Sequence, residues 1–197
     1  MRTAAILLAA GASTRLGQPK QLVTIDGESL LARSARIAFE GGIDDVFVVL
    51  GAHAARFRAH LAHTRCRFAE NPRWEQGMAT SIVAGVEAAL AHSQPDAVLL
   101  LACDQPAVTP FHLLQLQLLA DADSPRIAAS TYAGHTGIPT VFPQAYFAEL
   151  IALTGDTGAR HLLRTHADSV ATLLLAHGEL DLDTPESLAA IRGLWPA

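Results

Sequence analysis

The spacing of hydrophobic positions along this chain switches repeatedly between two patterns. Thr3–Leu8 is a short continuous apolar run, and Asp45–Leu50 (DVFVVL) is another, β-branched and bounded by Gly42 and Gly51. Runs of that length predict strands buried on both faces, as in a parallel sheet. Between them, residues 29–39 place Leu30, Leu31, Ile37 and Phe39 among polar neighbours at a helical period. The alternation continues with a helix over 54–61, a strand over 67–69 and a helix over 79–91. In the last of these, Ile82, Val83, Val86, Ala89 and Leu90 are the apolar positions. Residues 97–101 (AVLLL) form the most hydrophobic run and are expected at the centre of the sheet. Residues 110–119 predict a helix with Pro110 in its first turn, where a missing N–H costs nothing.

The last third is less regular. Strands over 126–131 and 140–142 flank a glycine-bearing turn over 133–137. A helix over 144–150, a polar loop, a helix near 159–164, a strand over 170–175 and a final helix from Thr184 complete the expectation. Alternating β and α units imply an α/β protein: a doubly wound, mostly parallel, Rossmann-like sheet flanked by helices, with one or two antiparallel strands added late. Without a Pro/Gly/Ser-rich linker or an internal repeat, residues 1–197 read as one domain. Ligands of such sheets bind beyond the carboxyl ends of the strands. That rule selects the loops to read for chemistry.

Composition narrows the classes. Half of the 197 residues are hydrophobic, and a chain of this size buries roughly 70% of its unfolded surface. Two cysteines, Cys66 and Cys103, far apart and without CxxC spacing, exclude a disulfide scaffold and a zinc ribbon. Lys+Arg 14 against Asp+Glu 19 gives a net charge of −5. With no basic stripe to neutralise phosphates, a nucleic-acid partner is not expected. The apolar run 4–10 is interrupted at once by Gly11, Ser13, Arg15 and Lys20, too early for a signal peptide. No run approaches the roughly 18 apolar residues of a membrane span. The expected location is the cytoplasm, with no membrane partner.

Three loops carry candidate chemistry. The first runs from Leu8 through Ala9, Ala10 and Gly11 to Lys20. Small residues let a backbone approach a ligand, successive N–H groups cradle phosphate oxygens, and Arg15 and Lys20 add cations. It is not a Walker A loop, because Gly17 is followed by Gln18, and no GxGxxG is present. An ordinary βα turn is the bland alternative, and the joint presence of Gly11, Arg15, Gly17 and Lys20 weighs against it. The second loop, 102–106, sends Asp104 from the end of a buried run, a position suited to a divalent metal beside phosphates. A helix cap is the alternative role, though Thr109 is better placed for it. Cys103 reads as a small buried residue and not a nucleophile. The third segment, 71–81 (NPRWEQGMATS), ends in small residues at a helix start. A flat base could lie against the backbone there while Ser81 bonds its edge; read alone, the segment is only a capped helix. The nine histidines form no catalytic cluster, and His161 and His166, five apart, fall on different helix faces.

Taken in order, LAAGASTRLGQPKQL, CDQP, NPRWEQGMATS, GIPTVF, LTGDTGARHLL and LDTPESL resemble the nucleotidyltransferases of molybdenum cofactor maturation. Within that family the chain most resembles the molybdenum cofactor cytidylyltransferases, on CDQP together with GDTGAR. The resemblance covers Leu8 to Leu188. It implies transfer of a nucleotidyl group, CMP from CTP, to the terminal phosphate of molybdenum cofactor (molybdopterin), with magnesium as cofactor and pyrophosphate released. Carried across, Gly11, Arg15 and Lys20 hold the triphosphate, and Leu8, Ala9 and Ala10 belong to the same nucleotide loop. Gly77, Met78 and Ser81 meet the base. Asp104 binds the metal, with Asp183 as second ligand and Asp181, two residues away, as its competitor for that role. Gly137, Pro139, Gly155, Asp156 and Arg160 lie toward the acceptor. A molybdoenzyme or its chaperone is the recipient the resemblance suggests.

The chemistry suits these residues, because phosphoryl-type transfer needs positioning and charge neutralisation more than covalent help. The acceptor phosphate is already anionic, so no general base is needed. The alternatives are a GTP-using member of the family, a sugar-phosphate nucleotidyltransferase, a non-catalytic nucleotide-binding regulator and an oxidoreductase with a nucleotide cofactor. The regulator could dispense with Asp104, which is present. The oxidoreductase predicts an acidic residue after the second strand, where Leu50-Gly51-Ala52 stand.

Overall fold

A computed structural model describes residues 1–121, 124–182, 184 and 187. The chain opens with β1 (Thr3–Leu8), two single-turn 3-10 helices (Thr14–Leu16 and Lys20–Leu22) and a small hairpin of β2 (Thr24–Ile25) and β3 (Glu28–Ser29). Then follow α1 (Leu30–Glu40), β4 (Asp45–Leu50), α2 (Ala54–His60), β5 (Arg67–Glu70), α3 (Met78–His92), β6 (Ala97–Ala102) and α4 (Pro110–Ala120). Strands β7 (Ile127–Tyr132) and β8 (His135–Pro143), helices α5 (Phe147–Ile151) and α6 (Arg160–Thr165), and β9 (Val170–Leu174) complete it. The final helix expected from Thr184 lies outside the described residues apart from Thr184 and Ser187.

Among the described residues seven strands form one sheet, in the order β5-β4-β1-β6-β8-β7-β9. β6, the AVLLL strand, is its centre. β1 lies between β4 and β6 and is parallel to both. β8 is antiparallel to its two neighbours, β6 and β7, while β9 is parallel to β7. The sheet is thus the doubly wound, mostly parallel one expected. Helices α1, α2 and α4 cover one face and α3, α5 and α6 the other. Alternate residues of β1 explain its unbroken apolar run: Ala5 and Leu7 pack on the first face, Ala4 and Ile6 on the second. Gly85 brings α3 close to the sheet, since a Cβ there would stand 2.3 Å from Ile6 Cγ2 and 3.0 Å from Val49 Cγ2.

Differences from the expected elements have local causes. Residue 29 caps α1 and does not begin it, the Ser29 hydroxyl accepting from Ala32 N at 3.2 Å. The β2–β3 hairpin was hidden by its shortness, although its loop, Asp26-Gly27, is a hairpin-turn dipeptide with both residues at positive φ. The turn expected over 133–137 is only Ala133 and Gly134, at φ 45° and 75°. β8 therefore begins at His135, and Gly137 pairs with Ser130. Gly137 and Pro139 had interrupted the apolar pattern over that longer strand. A third apolar cluster joins Leu16, Val23, Ile25 and Leu30 to Leu182. It ties the end of the described chain under the first loop, and Leu182 N donates to Asp104 O at 3.0 Å. Among the described residues no helix is long and apolar enough to cross a membrane.

Candidate active site

Parallel pairing sets Leu8 of β1 beside Ala102 of β6. Two loops distant in sequence therefore leave the sheet side by side, one carrying Gly11, Arg15 and Lys20 and the other Asp104. Between them and the start of α3 is a cleft of about 380 Å³, whose walls include Leu8, Ala10, Gly11, Gln21, Trp74 and Ser81. It continues into a second concavity of about 470 Å³ walled by Arg15, Tyr132, Gly137, Ile138, Arg160 and Asp181. Lys20, Met78, Asp104 and Asp156 line both.

The first loop is shaped from beneath by a residue the sequence reading passed over. Gln21, 1% exposed, donates from Nε2 to Gly11 O at 2.9 Å and to Ala9 O at 3.3 Å. Its Oε1 accepts from Ser13 Oγ at 3.1 Å, and Ser13 Oγ accepts from Lys20 N at 3.1 Å. These bonds hold the loop against itself with Ser13 in a left-handed conformation, φ 54°. The sequence did offer a signal: a glutamine directly after the loop's lysine, where a surface turn has no need of one. Lys20 Nζ lies 2.5 Å from Asp104 Oδ2. Ala9 is buried in the cluster under α1, α2 and α4 and is not among the residues lining the cleft.

The start of α3 is organised by Asn71, 2% exposed. Its Nδ2 donates to Thr80 Oγ1 at 2.8 Å and Ser81 Oγ at 3.0 Å, and its Oδ1 accepts from Arg73 N at 2.9 Å. Ser81, on the cleft wall, thus has its hydroxyl engaged by Asn71. Gly77 permits the 155–156 loop to press onto the helix start. A Cβ on Gly77 would fall 2.4 Å from Gly155 O and 2.7 Å from Asp156 Oδ1. Gly155 O accepts from Ala79 N at 3.2 Å, taking up one of the free N–H groups of the first helical turn.

Of the residues assigned to the acceptor, Gly137, Asp156 and Arg160 lie on the wall of the second concavity. Gly155 faces a neighbouring hollow with Arg73 and Thr80. Pro139 is buried in β8, its carbonyl accepting from Ser130 Oγ at 2.8 Å. Tyr132, unremarked in the sequence, stands opposite, its hydroxyl donating to Ile138 O at 3.2 Å. Burial chiefly, and the Asp181 carboxylate further, raises its pKa above the usual phenol value.

Cys103 is 2% exposed, and burial, helped by the charge of Asp104, pushes its thiol up to about 12. It is a packed side chain and not a nucleophile. Among the described residues no three His, Cys, Asp or Glu side chains converge as a metal cage. Asp104 and Asp181 do share a wall of the cleft. One or two carboxylates completed by waters and phosphate oxygens is how magnesium is ordinarily held, so this donor set fits it. Asp183 lies outside the described residues.

Residues 5–170 match the model of the MobA-like NTP transferase domain. The chain is 33% identical to purine catabolism protein PucB of Bacillus subtilis over 202 residues, spanning 95% of this chain and 94% of that one. It is 30% identical to a probable molybdenum cofactor guanylyltransferase of Trichormus variabilis, over 96% and 90% of the two chains. Nicotine blue oxidoreductase of Paenarthrobacter nicotinovorans is 34% identical over 81% and 80%. Among solved structures, Rv0371c of Mycobacterium tuberculosis superposes with a TM-score of 0.79 at 28% identity, 97% of each chain being covered. The same protein has been solved in complex with manganese, at TM-score 0.74 and 27% identity over 97% of this chain and 98% of that one.

Proposed function

Because the chain belongs to the MobA-like NTP transferase family and is a nucleotidyltransferase, we propose that it transfers CMP from CTP to the terminal phosphate of a molybdopterin-type acceptor. The observation carrying this reading is the pairing of Lys20 with Asp104 at the floor of one continuous cleft. A cation and a hard anionic ligand at one point suit a metal-bound triphosphate better than they suit a neutral cofactor. The donor assignment rests on LGQPK, CDQP and GDTGAR. The relatives named guanylyltransferases make GTP the competing donor.

In this reading the glycine loop, clamped by Gln21, offers backbone N–H groups to the phosphates, and Arg15 and Lys20 neutralise charge on the α-phosphate and departing pyrophosphate. Gly77, Met78 and Ser81 meet the base, Ser81 held for it by Asn71. An oxygen of the acceptor phosphate attacks the α-phosphorus, and the bond to the bridging α–β oxygen breaks, its electron pair leaving with pyrophosphate. Arg160 faces the incoming phosphate across the cleft. Asp104 would hold magnesium, with an acidic residue of the 181–183 segment as second ligand; bound there, the ion neutralises and orients the triphosphate.

The test supplies CTP and GTP, singly and in equal mixture, with magnesium and molybdenum cofactor, and measures pyrophosphate and the nucleotide on the product. The expected product carries cytidylate. Predominant guanylylation would move the protein to the GTP-using branch. Product only when a sugar phosphate replaces molybdenum cofactor would overturn the acceptor. Tight binding of a reduced nicotinamide dinucleotide with no pyrophosphate from any donor would overturn transfer itself.

A further inference from the structure

Two residues assigned to different partners of the triphosphate site hold each other. Lys20 Nζ stands 2.5 Å from Asp104 Oδ2, and the side chains are only 19% and 17% exposed. A carboxylate in that state has its charge balanced and one oxygen engaged. A divalent cation approaching it would meet the ammonium at close range. In a partly desolvated cleft that repulsion is comparable in size to the attraction one carboxylate offers at similar range, so it cancels most of the gain. The pair equally keeps a largely buried anion from standing uncompensated.

A triphosphate changes the balance. It brings several negative charges to the glycine loop, where Gly11, Ser13, Thr14 and Arg15 line one hollow together with Lys20. An ammonium on a flexible four-carbon stem can pivot to phosphate oxygens, where its charge is better matched. Asp104 is then released, and Asp181 lines the same concavity. We propose that Lys20 is a resident counter-cation on the metal-binding carboxylate, displaced by the triphosphate, so that metal and nucleotide enter together and metal alone is excluded. This rests on the proposed function for the identity of the incoming anion and for Asp104 as metal ligand, and on the Lys20–Asp104 geometry for the rest.

The device makes a prediction opposite to that of a structural ion pair. Were the pair structural only, with Asp104 no metal ligand, removing Lys20 would leave Mn²⁺ affinity near its wild-type value. Removing a resident counter-cation opens the acidic site. Mn²⁺ binding, followed by the electron paramagnetic resonance signal of the free ion with no nucleotide present, should be weak in the wild type. In Lys20→Met and Lys20→Gln it should tighten by about tenfold or more, the scale expected when a positive charge ~4 Å from the ion is removed. Lys20→Arg, which keeps the charge, should behave like the wild type. Mn²⁺ affinity in the neutral variants equal to or weaker than wild type would overturn the proposal. A second measurement needs no variant: crystals of the wild type soaked in MnCl₂ without nucleotide should keep Lys20 on Asp104. Manganese on Asp104 with Lys20 swung away, in the absence of any triphosphate, would also overturn it. Both readouts omit CTP and acceptor, so failure to turn over CTP would sink the proposed donor while leaving these outcomes standing.

Discussion

Gly77→Ala tests whether the packing of the 155–156 loop on α3 builds the cleft. Gly77 has φ 109° and ψ 171°, a conformation that side chains avoid. Holding a residue with a Cβ there costs about 1–3 kcal/mol. The new Cβ would also fall 2.4 Å from Gly155 O, which accepts from Ala79 N. Backbone cannot yield as a side-chain tip does, so that hydrogen bond is lost as well, at about 1 kcal/mol. The sum is about 2–4 kcal/mol, which for a domain of this size lowers Tm by about 5–15 °C. The loop can relieve the clash only by moving off the helix start, taking Asp156 from the wall shared by the two halves of the cleft. KM for nucleotide and acceptor should therefore rise together. Gly155→Ala is the control: Gly155 also has positive φ, 62°, but nothing lies within 4 Å of its would-be Cβ. It should cost only about 1–2 kcal/mol of left-handed strain and leave KM near wild type. Thermal unfolding followed by circular dichroism, with steady-state pyrophosphate release, reads both. Wild-type Tm and KM in Gly77→Ala, or equal damage from Gly155→Ala, would refute the packing argument.

Asp104→Asn keeps the shape of the side chain and removes the charge that would hold a metal; turnover should fall by about 100-fold or more. Its Tm should fall by only a few degrees, because the Lys20 ammonium left behind can turn on its flexible stem to solvent, and near-normal turnover at saturating magnesium would remove Asp104 from the metal site. Asn71→Ala leaves the buried Thr80 and Ser81 hydroxyls without their shared donor, costing about 1–3 kcal/mol. It should raise KM for CTP more than it lowers kcat, and an unchanged KM would remove Asn71 from base positioning. His112 is buried with Nε2 2.8 Å from Ser130 Oγ, and burial lowers its pKa below the ordinary 6.5. The folded state thus binds the proton more weakly than the unfolded one. The stability concerned is fully present above pH 6.5 and is lost as pH falls from there through the folded pKa. His112→Gln should flatten the decline of Tm over that interval, and an unaltered slope would show that His112 does not contribute.

The chain's own pattern determined its strands and the loops worth reading. Leu99, Leu100 and their neighbours in 97–101 are apolar without interruption because a central strand is covered on both faces, and a run that short bounded by polar residues has few other uses. Gly11, Arg15, Lys20 and Asp104 were legible as candidates because glycine-rich turns and acids at strand ends are local chemistry that needs no partner to be recognised. What the tertiary structure alone decided is which of these meet. Lys20 reaches Asp104 across 84 positions of sequence because β1 and β6 pair in parallel, a register fixed by crossovers and helix packing and by nothing within either loop. The same holds for Asn71 beneath Ser81 and for Gly77 under Gly155. Each is an ordinary turn residue until the second face of the sheet brings α3 and the 155–156 loop together. β8 escaped at its start for a related reason: Gly137 and Pro139 break the apolar period, and only pairing with Ser130 and the close approach of Tyr132 make them part of a strand. Periodicity reports which way a side chain faces, and the fold decides what it faces.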